Sequence, residues 1–381
     1  MRVRSNVATT AHSYRLCGYC ILRQGESGPM EVVKGSNCFV CQGLMKMVPT
    51  MAEAAARKVR RYQFETFTVG VSLPQGIQER EDELRSDLRL RGNETIKTQA
   101  AKLIAAHVSG KLRKRVDRLR PDLTLLTNLG TGEVIASSRP VFFYGRYTKP
   151  RGVYQKRELC PDCSGAGCRK CGEAGFERKP SVEGLLRRKI SSFSGSERMT
   201  FTWLGSEDKE SRVFPPGRPF VAEVKNPVKR VFPRKFAVRY TGGQVSVTAG
   251  RVLPAKPVRL PTFRFKTEIL ATAASKVSAE ALARLHSAFR RTSVKFERPH
   301  DRPTWKTVYR ADATARGRKL VIHAELDGGL PVKRFVSGEL VSPSVSEVLK
   351  TEVRCRRFDI CGVTETGKFE IGEVTRIQKE D

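Results

Sequence analysis

Four cysteines stand near the start of the chain in two pairs, Cys17-x-x-Cys20 and Cys38-x-x-Cys41. This is the spacing by which two tight knuckles present four thiolates tetrahedrally to one zinc ion. The competing readings are buried free thiols or disulfides, and a reducing cytosol disfavours the latter. Four thiolates close the coordination shell, so the metal would be structural rather than catalytic. A second set, Cys160-x-x-Cys163 and Cys168-x-x-Cys171, repeats the pattern with only Ser-Gly-Ala-Gly between its pairs. Glycines let so short a loop close, and the set reads as a second structural zinc site. A thioredoxin-like redox pair would open a helix after a strand, whereas Pro and Gly surround this one. Cys355 and Cys361 lie in a strand-like segment and take no role.

The other group with chemical potential is a set of carboxylates, Glu207, Asp208 and Glu210, in the segment running from Gly205 to Phe220 between two strand-like stretches. Taken alone, such a run is a solvent-facing loop. Its setting is unusual because the chain carries 71 Lys plus Arg against 39 Asp plus Glu, a formal charge of +32. Cations in such excess displace the counterions condensed on phosphates, so the expected partner is a nucleic acid rather than an anionic membrane. With 39% apolar and 29% charged residues the chain is neither a low-hydrophobicity disordered protein nor a membrane protein. No run approaches the ~20 apolar residues of a membrane helix. Met1 to Leu16 contains no apolar signal-peptide core, so a cytoplasmic protein is expected. No helix-turn-helix pattern supports a DNA-binding regulator.

These groups must be held by elements of both kinds. The Ala-rich run Ala52 to Arg61 predicts a helix, and alternating Phe67, Val69, Val71 and Leu73 predict a strand. Ile96, Ala100, Leu103, Ile104, His107 and Val108 form one apolar stripe of a long basic helix. Strands are expected at Asp122 to Asn128 and at Glu133 to Tyr144, with Gly130 and Gly132 turning between them. Val182, Leu185, Leu186, Ile190 and Phe193 mark a second amphipathic helix. Met199, Phe201 and Trp203 alternate as a strand beside Phe220 to Val224, and Leu282, Leu285 and Phe289 mark a later helix. Leu320, Ile322, Ala324 and Leu326 form another strand, and Ser344 with Glu347 has capping-box spacing. The fold class is α+β. Residues 1–50 form a zinc-binding block and 51–150 an α+β module with a basic helix. Residues 151–180 form a cysteine-rich zinc ribbon and 181–381 a mixed α+β domain.

The Gly205 to Phe220 segment resembles a motif of the archaeal tRNA pseudouridine synthases that modify T-loop uridines, positions 54 and 55 of tRNA. That family writes it Gly-Arg-Glu-Asp-x-Asp-x-Arg and then Gly-Arg-Pro-Phe. Gly205, Glu207, Asp208, Arg212, Gly217, Arg218, Pro219 and Phe220 match without a gap. Ser138 to Tyr147, the ribbon from Cys160, the helix from Ser181, Gly328 to Gly338 and Ser342 to Leu349 are similar to the same family in the same order. The N-terminal block and the 51–150 module resemble its THUMP-containing accessory region, which implies that 51–150 is a THUMP-like RNA-binding module.

The resemblance implies a catalytic domain of the pseudouridine synthase type in which Asp208 is the catalytic carboxylate and Lys333 the basic residue that pairs with it. It implies tRNA as partner, with Arg146, Arg212, Arg218, Lys225 and Arg230 as phosphate contacts. The isomerisation breaks an N-glycosidic bond and rejoins the base through carbon without redox change, so structural zinc is the only cofactor expected and no organic one. No obligate protein partner is implied. The chain departs from the family at Ser206, where the family has Arg, and at Glu210, where it has a second Asp. Glu268 aligns with an active-site tyrosine, Pro331 replaces another, and two residues are missing before Ser342. Trp203, Trp305 and Tyr309 are the aromatics left to help turn out a base. The rival reading is a non-catalytic zinc-containing tRNA- or rRNA-binding protein on the same scaffold.

Overall fold

A computed structural model describes residues 13–24, 30–90, 94–297 and 302–371. Most of the N-terminal stretch Met1 to Leu16 lies outside the described residues. The chain divides into two units, Met1–Arg139 with Asn226–Arg230, and Pro140–Lys225 with Val231–Asp381. No described helix is long and apolar enough to cross a membrane.

In the first unit the helix Val48–Val59 buries Val48, Met51, Ala52, Ala55, Ala56 and Val59, a single face at helical spacing. The helix Ile96–Leu112 starts where the Thr95 hydroxyl accepts from the Thr98 amide, and it buries Ile96, Ala100, Ile104, Ala105 and Val108. Leu103 and His107, expected on that face, are exposed; His107 and Lys111 instead meet Glu53 of the other helix. Strand Thr66–Ser72 lies between Arg115–Val116 and Leu123–Asn128, and Val134–Ser138 completes a four-stranded sheet. The helix Ile77–Asp87 was not expected, because its sequence is almost wholly polar. It is fixed by Glu81, whose buried carboxylate pairs with Arg23 at 2.7 Å and accepts the Ile96 amide at the next helix's N-terminus.

The first cysteine set is part of this unit's core, with Leu16, Val40 and Met45 around it. The segment Asn226–Arg230 closes the unit. Gln63 donates its amide to the Val228 carbonyl at 2.7 Å, and the Asn226 side chain accepts the Ser138 amide at 2.7 Å.

The second unit is built on an eleven-stranded sheet. From one edge its order is Phe236–Tyr240, Gly243–Leu253, Val141–Lys149, Val213–Val224, Val353–Glu365, Phe263–Ala273, Lys319–Asp327, Thr304–Arg316, Arg290–Phe296 and Val341–Ser342. Met199–Trp203 pairs alongside Val213–Val224. The expected strand Glu133 to Tyr144 is two strands, Val134–Ser138 and Val141–Lys149, in different sheets. Pro140, which has no amide to donate, stands at the break. The Val141–Lys149 strand, grouped in sequence with the 51–150 module, thus belongs to the second unit, as does the ribbon 151–180.

Among the described residues the ladders of this sheet are antiparallel except where Val213 meets Ile360. The acidic loop is delivered at that junction. Strand Phe263–Ala273 alternates strictly, sending Phe263, Phe265, Thr267, Ile269, Ala271 and Ala273 into the core.

Candidate active site

The loop that carries the carboxylates is shaped from its own backbone. Gly205 has φ +96°, and a Cβ there would lie 2.0 Å from the Arg218 guanidinium, so both conformation and space demand glycine. Asp208 closes the next turn on itself, since its Oδ1 accepts the Glu210 amide and the Ser211 hydroxyl, each at 3.1 Å. Beneath the turn lies Lys149, only 2% exposed, at the end of its strand. Its ammonium donates to the carbonyls of Val153 at 2.8 Å, Asp208 at 2.9 Å and Ser211 at 2.6 Å. Burial lowers the Lys149 pKa to about 8, against the opposing pull of Glu207 and Asp208.

The second oxygen of Asp208 is 2.6 Å from the Lys333 ammonium on the short helix Val332–Ser337. Burial pushes the Asp208 carboxyl up, but Lys333, Ser211 and the Glu210 amide outweigh it and hold the group below the ordinary carboxylate value. The same pair raises Lys333. The structure therefore brings Asp208 and Lys333 together as a charged, oriented, partly exposed pair.

Glu207 behaves oppositely to the sequence expectation of a solvent-facing charge. Its side chain is fully buried, accepts from the Tyr147 hydroxyl and the Gln155 amide, and pairs with Arg218 at 3.2 Å. Burial, with the Glu207 charge next to it, raises the Tyr147 phenol well above its usual value. Removing one partner of a buried pair leaves the other charge uncompensated. Glu207→Gln is therefore expected to destabilise the second unit by roughly 3 kcal/mol, read as a lowered denaturation midpoint at unchanged slope. Glu210→Gln, on the exposed side of the loop, should leave the midpoint unmoved.

Beside this loop is a cavity of about 360 Å³ whose lining includes Gly205, Ser206, Arg218, Phe265, Thr267 and Pro331. Arg218 is 4% exposed and lies 4.8 Å over the Phe265 ring. Glu268, aligned in sequence with an active-site tyrosine, is on the other face of its strand from Phe265 and Thr267, opposite His323 and Asp359. The aromatic side chain that the strand turns toward the cavity is Phe265. Trp203 also lines it, whereas Tyr309 hydrogen-bonds Asp327 and stacks under Arg264 at 3.8 Å, and Trp305 is exposed.

The five arginines and lysines expected at phosphates are placed in three ways. Arg212 and Lys225 are exposed. Arg146 is engaged by Tyr144, the Val363 carbonyl and Glu365, and Arg230 by Ser138, the Arg139 carbonyl and Asp122. Arg218 faces the cavity. Sequence reasoning missed Lys149 and Phe265. Phe265 could have been found from the alternation of Phe263, Phe265, Thr267 and Ile269, but nothing local marks Lys149.

Each cysteine set gathers its four sulfurs within 4.8 Å of one another, the first set wholly buried and the second partly exposed. Among the described residues no fifth ligand joins either set. Four thiol sulfurs at that separation suit a tetrahedral thiophilic ion such as zinc.

Most of the chain is similar to proteins of one family. Residues 51–128 match the family described as Pus10 THUMP domain, archaeal, and residues 142–250 match Pus10, C-terminal. A tRNA pseudouridine synthase Pus10 of Cenarchaeum symbiosum is 34% identical over 92% of this chain and 90% of its own. That of Nitrosopumilus maritimus is 28% identical over 91% and 94%. That of Archaeoglobus fulgidus is 31% identical over 88% and 97%. By this similarity the chain belongs to the Pus10 family of tRNA pseudouridine synthases.

Proposed function

We propose that the chain isomerises uridine to pseudouridine in the T loop of tRNA, at position 54, 55 or both, with Asp208 as the attacking carboxylate. The observation that carries this is the Asp208–Lys333 pair at 2.6 Å on a turn fixed from beneath by Lys149, next to a cavity floored by an aromatic ring. An ionised carboxylate held in place can attack the ribose or assist its deprotonation as the glycosidic bond breaks, and the base then rejoins through carbon. The target base must leave its stack to reach such a site, and the Phe265 face with Arg218 behind it is the surface offered to it. Arg212 and Lys225 are the exposed cations of the predicted set and take phosphates. Zinc in both cysteine sets is structural in this reading.

The role of Lys333 gives a pH test. With Lys333 present, the Asp208 pKa lies below the ordinary carboxylate value, so the anion persists down the acid range. In Lys333→Met the opposing charge is gone while burial and the hydrogen bonds of Ser211 and Glu210 remain, so the pKa rises. The acid limb of the single-turnover rate on a T-arm RNA should move to higher pH. An unmoved limb would show that Lys333 does not set the charge on Asp208. Pseudouridine mapping by carbodiimide on the same RNA tests the activity itself, and no conversion of any T-loop uridine would sink the proposal.

A further inference from the structure

We propose that the groove between the second cysteine set and the helix Val182–Ser194 is a docking site for the phosphate backbone of an RNA strand. It is distinct from the cavity beside Asp208. The inference rests on the chain being an RNA-modifying enzyme, as above.

The groove has a volume of about 820 Å³, and its lining shares no residue with that cavity. Six cations line it: Arg151, Arg157, Arg178, Lys179, Arg187 and Arg188. The carboxylates that meet them are three. Asp359 pairs with Arg151, Glu183 with both Arg157 and Arg187, and Glu177 with Lys179. Six positive charges against three negative leave a surplus of three. Arg178 and Arg188 are exposed and have no carboxylate partner among the described residues.

Several of these guanidinium groups are already positioned. Arg157 lies 3.7 Å over the Phe176 ring and Arg187 lies 5.6 Å over Phe201. The Nε of Arg187 and that of Arg151 are buried without a hydrogen-bond partner. Arginine stacked on an aromatic face presents its edge as a rigid fork, the geometry that takes a phosphate by two hydrogen bonds. Ser181, the N-cap, and Gly184, in the first turn of the thirteen-residue helix, add the positive end of its dipole to the same wall. One phosphate would neither fill such a groove nor neutralise it, whereas successive phosphates of a strand would do both. The opposite wall runs from Cys171 through Phe176 to Lys179, so the second cysteine set fixes one side of the groove.

The test uses the full chain and a tRNA transcript, with affinity measured at a series of salt concentrations. Arg178→Ala with Arg188→Ala should weaken binding about tenfold and reduce the slope of log affinity against log salt by about 1.5, the loss of two phosphate contacts. The single-turnover rate at saturating tRNA should not change, because neither residue touches the Asp208 loop. Arg316→Ala with Lys319→Ala removes equal exposed charge from a hairpin elsewhere on the unit. An equal loss of slope in that control would overturn the groove in favour of diffuse charge. An unchanged slope in the groove variant, with wild type active, would overturn the groove and leave the T-loop activity standing. Loss of slope in a protein that makes no pseudouridine would uphold the groove and remove the activity. Competition by polyglutamate as strong as that of RNA of equal charge would reassign the groove to an acidic protein.

Discussion

Asp208→Asn is expected to cut pseudouridine formation by roughly a thousandfold or more while tRNA affinity stays within about twofold. The substitution removes the charge that attacks or assists and keeps the volume, and the amide oxygen can still accept from Ser211 and Glu210 to hold the turn. Lys333 is left without its anion, but it is half exposed and water takes the place of the pair. Glu210→Gln is the matched control, for it removes the same charge from the same loop on the solvent side. Glu207→Gln cannot serve, because Glu207 is a buried partner of Arg218 and its loss acts through stability. Single-turnover conversion and a filter-binding curve should be measured for each variant. Comparable activity in Asp208→Asn would show that another group does the chemistry.

Removing metal from the first cysteine set should unfold the first unit. Its four thiols are in the same core as the helices Val48–Val59 and Ile96–Leu112, so the ligands and the hydrophobic packing are one structure. Binding at structural zinc sites contributes roughly 10–16 kcal/mol in small peptides at neutral pH, more than the whole stability of a typical domain. Cys38→Ser, or a strong chelator acting on partly unfolded protein, is expected to abolish the cooperative melting of that unit. Elemental analysis of tag-free protein should find close to two zinc ions per chain. A single equivalent would retire the second site, and none would end the ligand reading of both sets.

The sequence showed most clearly those features whose physics is local. Cysteine spacing marked both four-sulfur clusters, the apolar stripes marked the main helices, and Ser344 with Glu347 forms the capping box that its spacing announced. The motif resemblance placed Asp208 and Lys333 on elements far apart in the chain, and the structure brings them within one hydrogen bond. What stayed illegible depends on partners distant in sequence. Nothing near Lys149 says that it will be buried under a turn sixty residues later. Glu81 looks like one more charge in an acidic helix until Arg23 and the Ile96 amide surround it. Glu207 and Asp208 are adjacent and chemically alike, yet the Gly205 turn sends one inward to Arg218 and the other outward to Lys333. Glu268 shows the reverse difficulty. Alignment alone put it at a catalytic position, and strand alternation turns it away from the cavity.

The short segment Asn226–Arg230 has a consequence for inheritance. Because it belongs to the first unit while the sequence around it belongs to the second, the backbone passes between the two units three times. A recombination event that exchanged only the first 139 residues would import a unit without the strand of chain that satisfies its Gln63 and Ser138 amides. Those two donors would be left facing a foreign sequence. The halves of such a protein are therefore expected to descend as a single gene segment, and shuffling of the first unit among unrelated enzymes should stop short of this lineage.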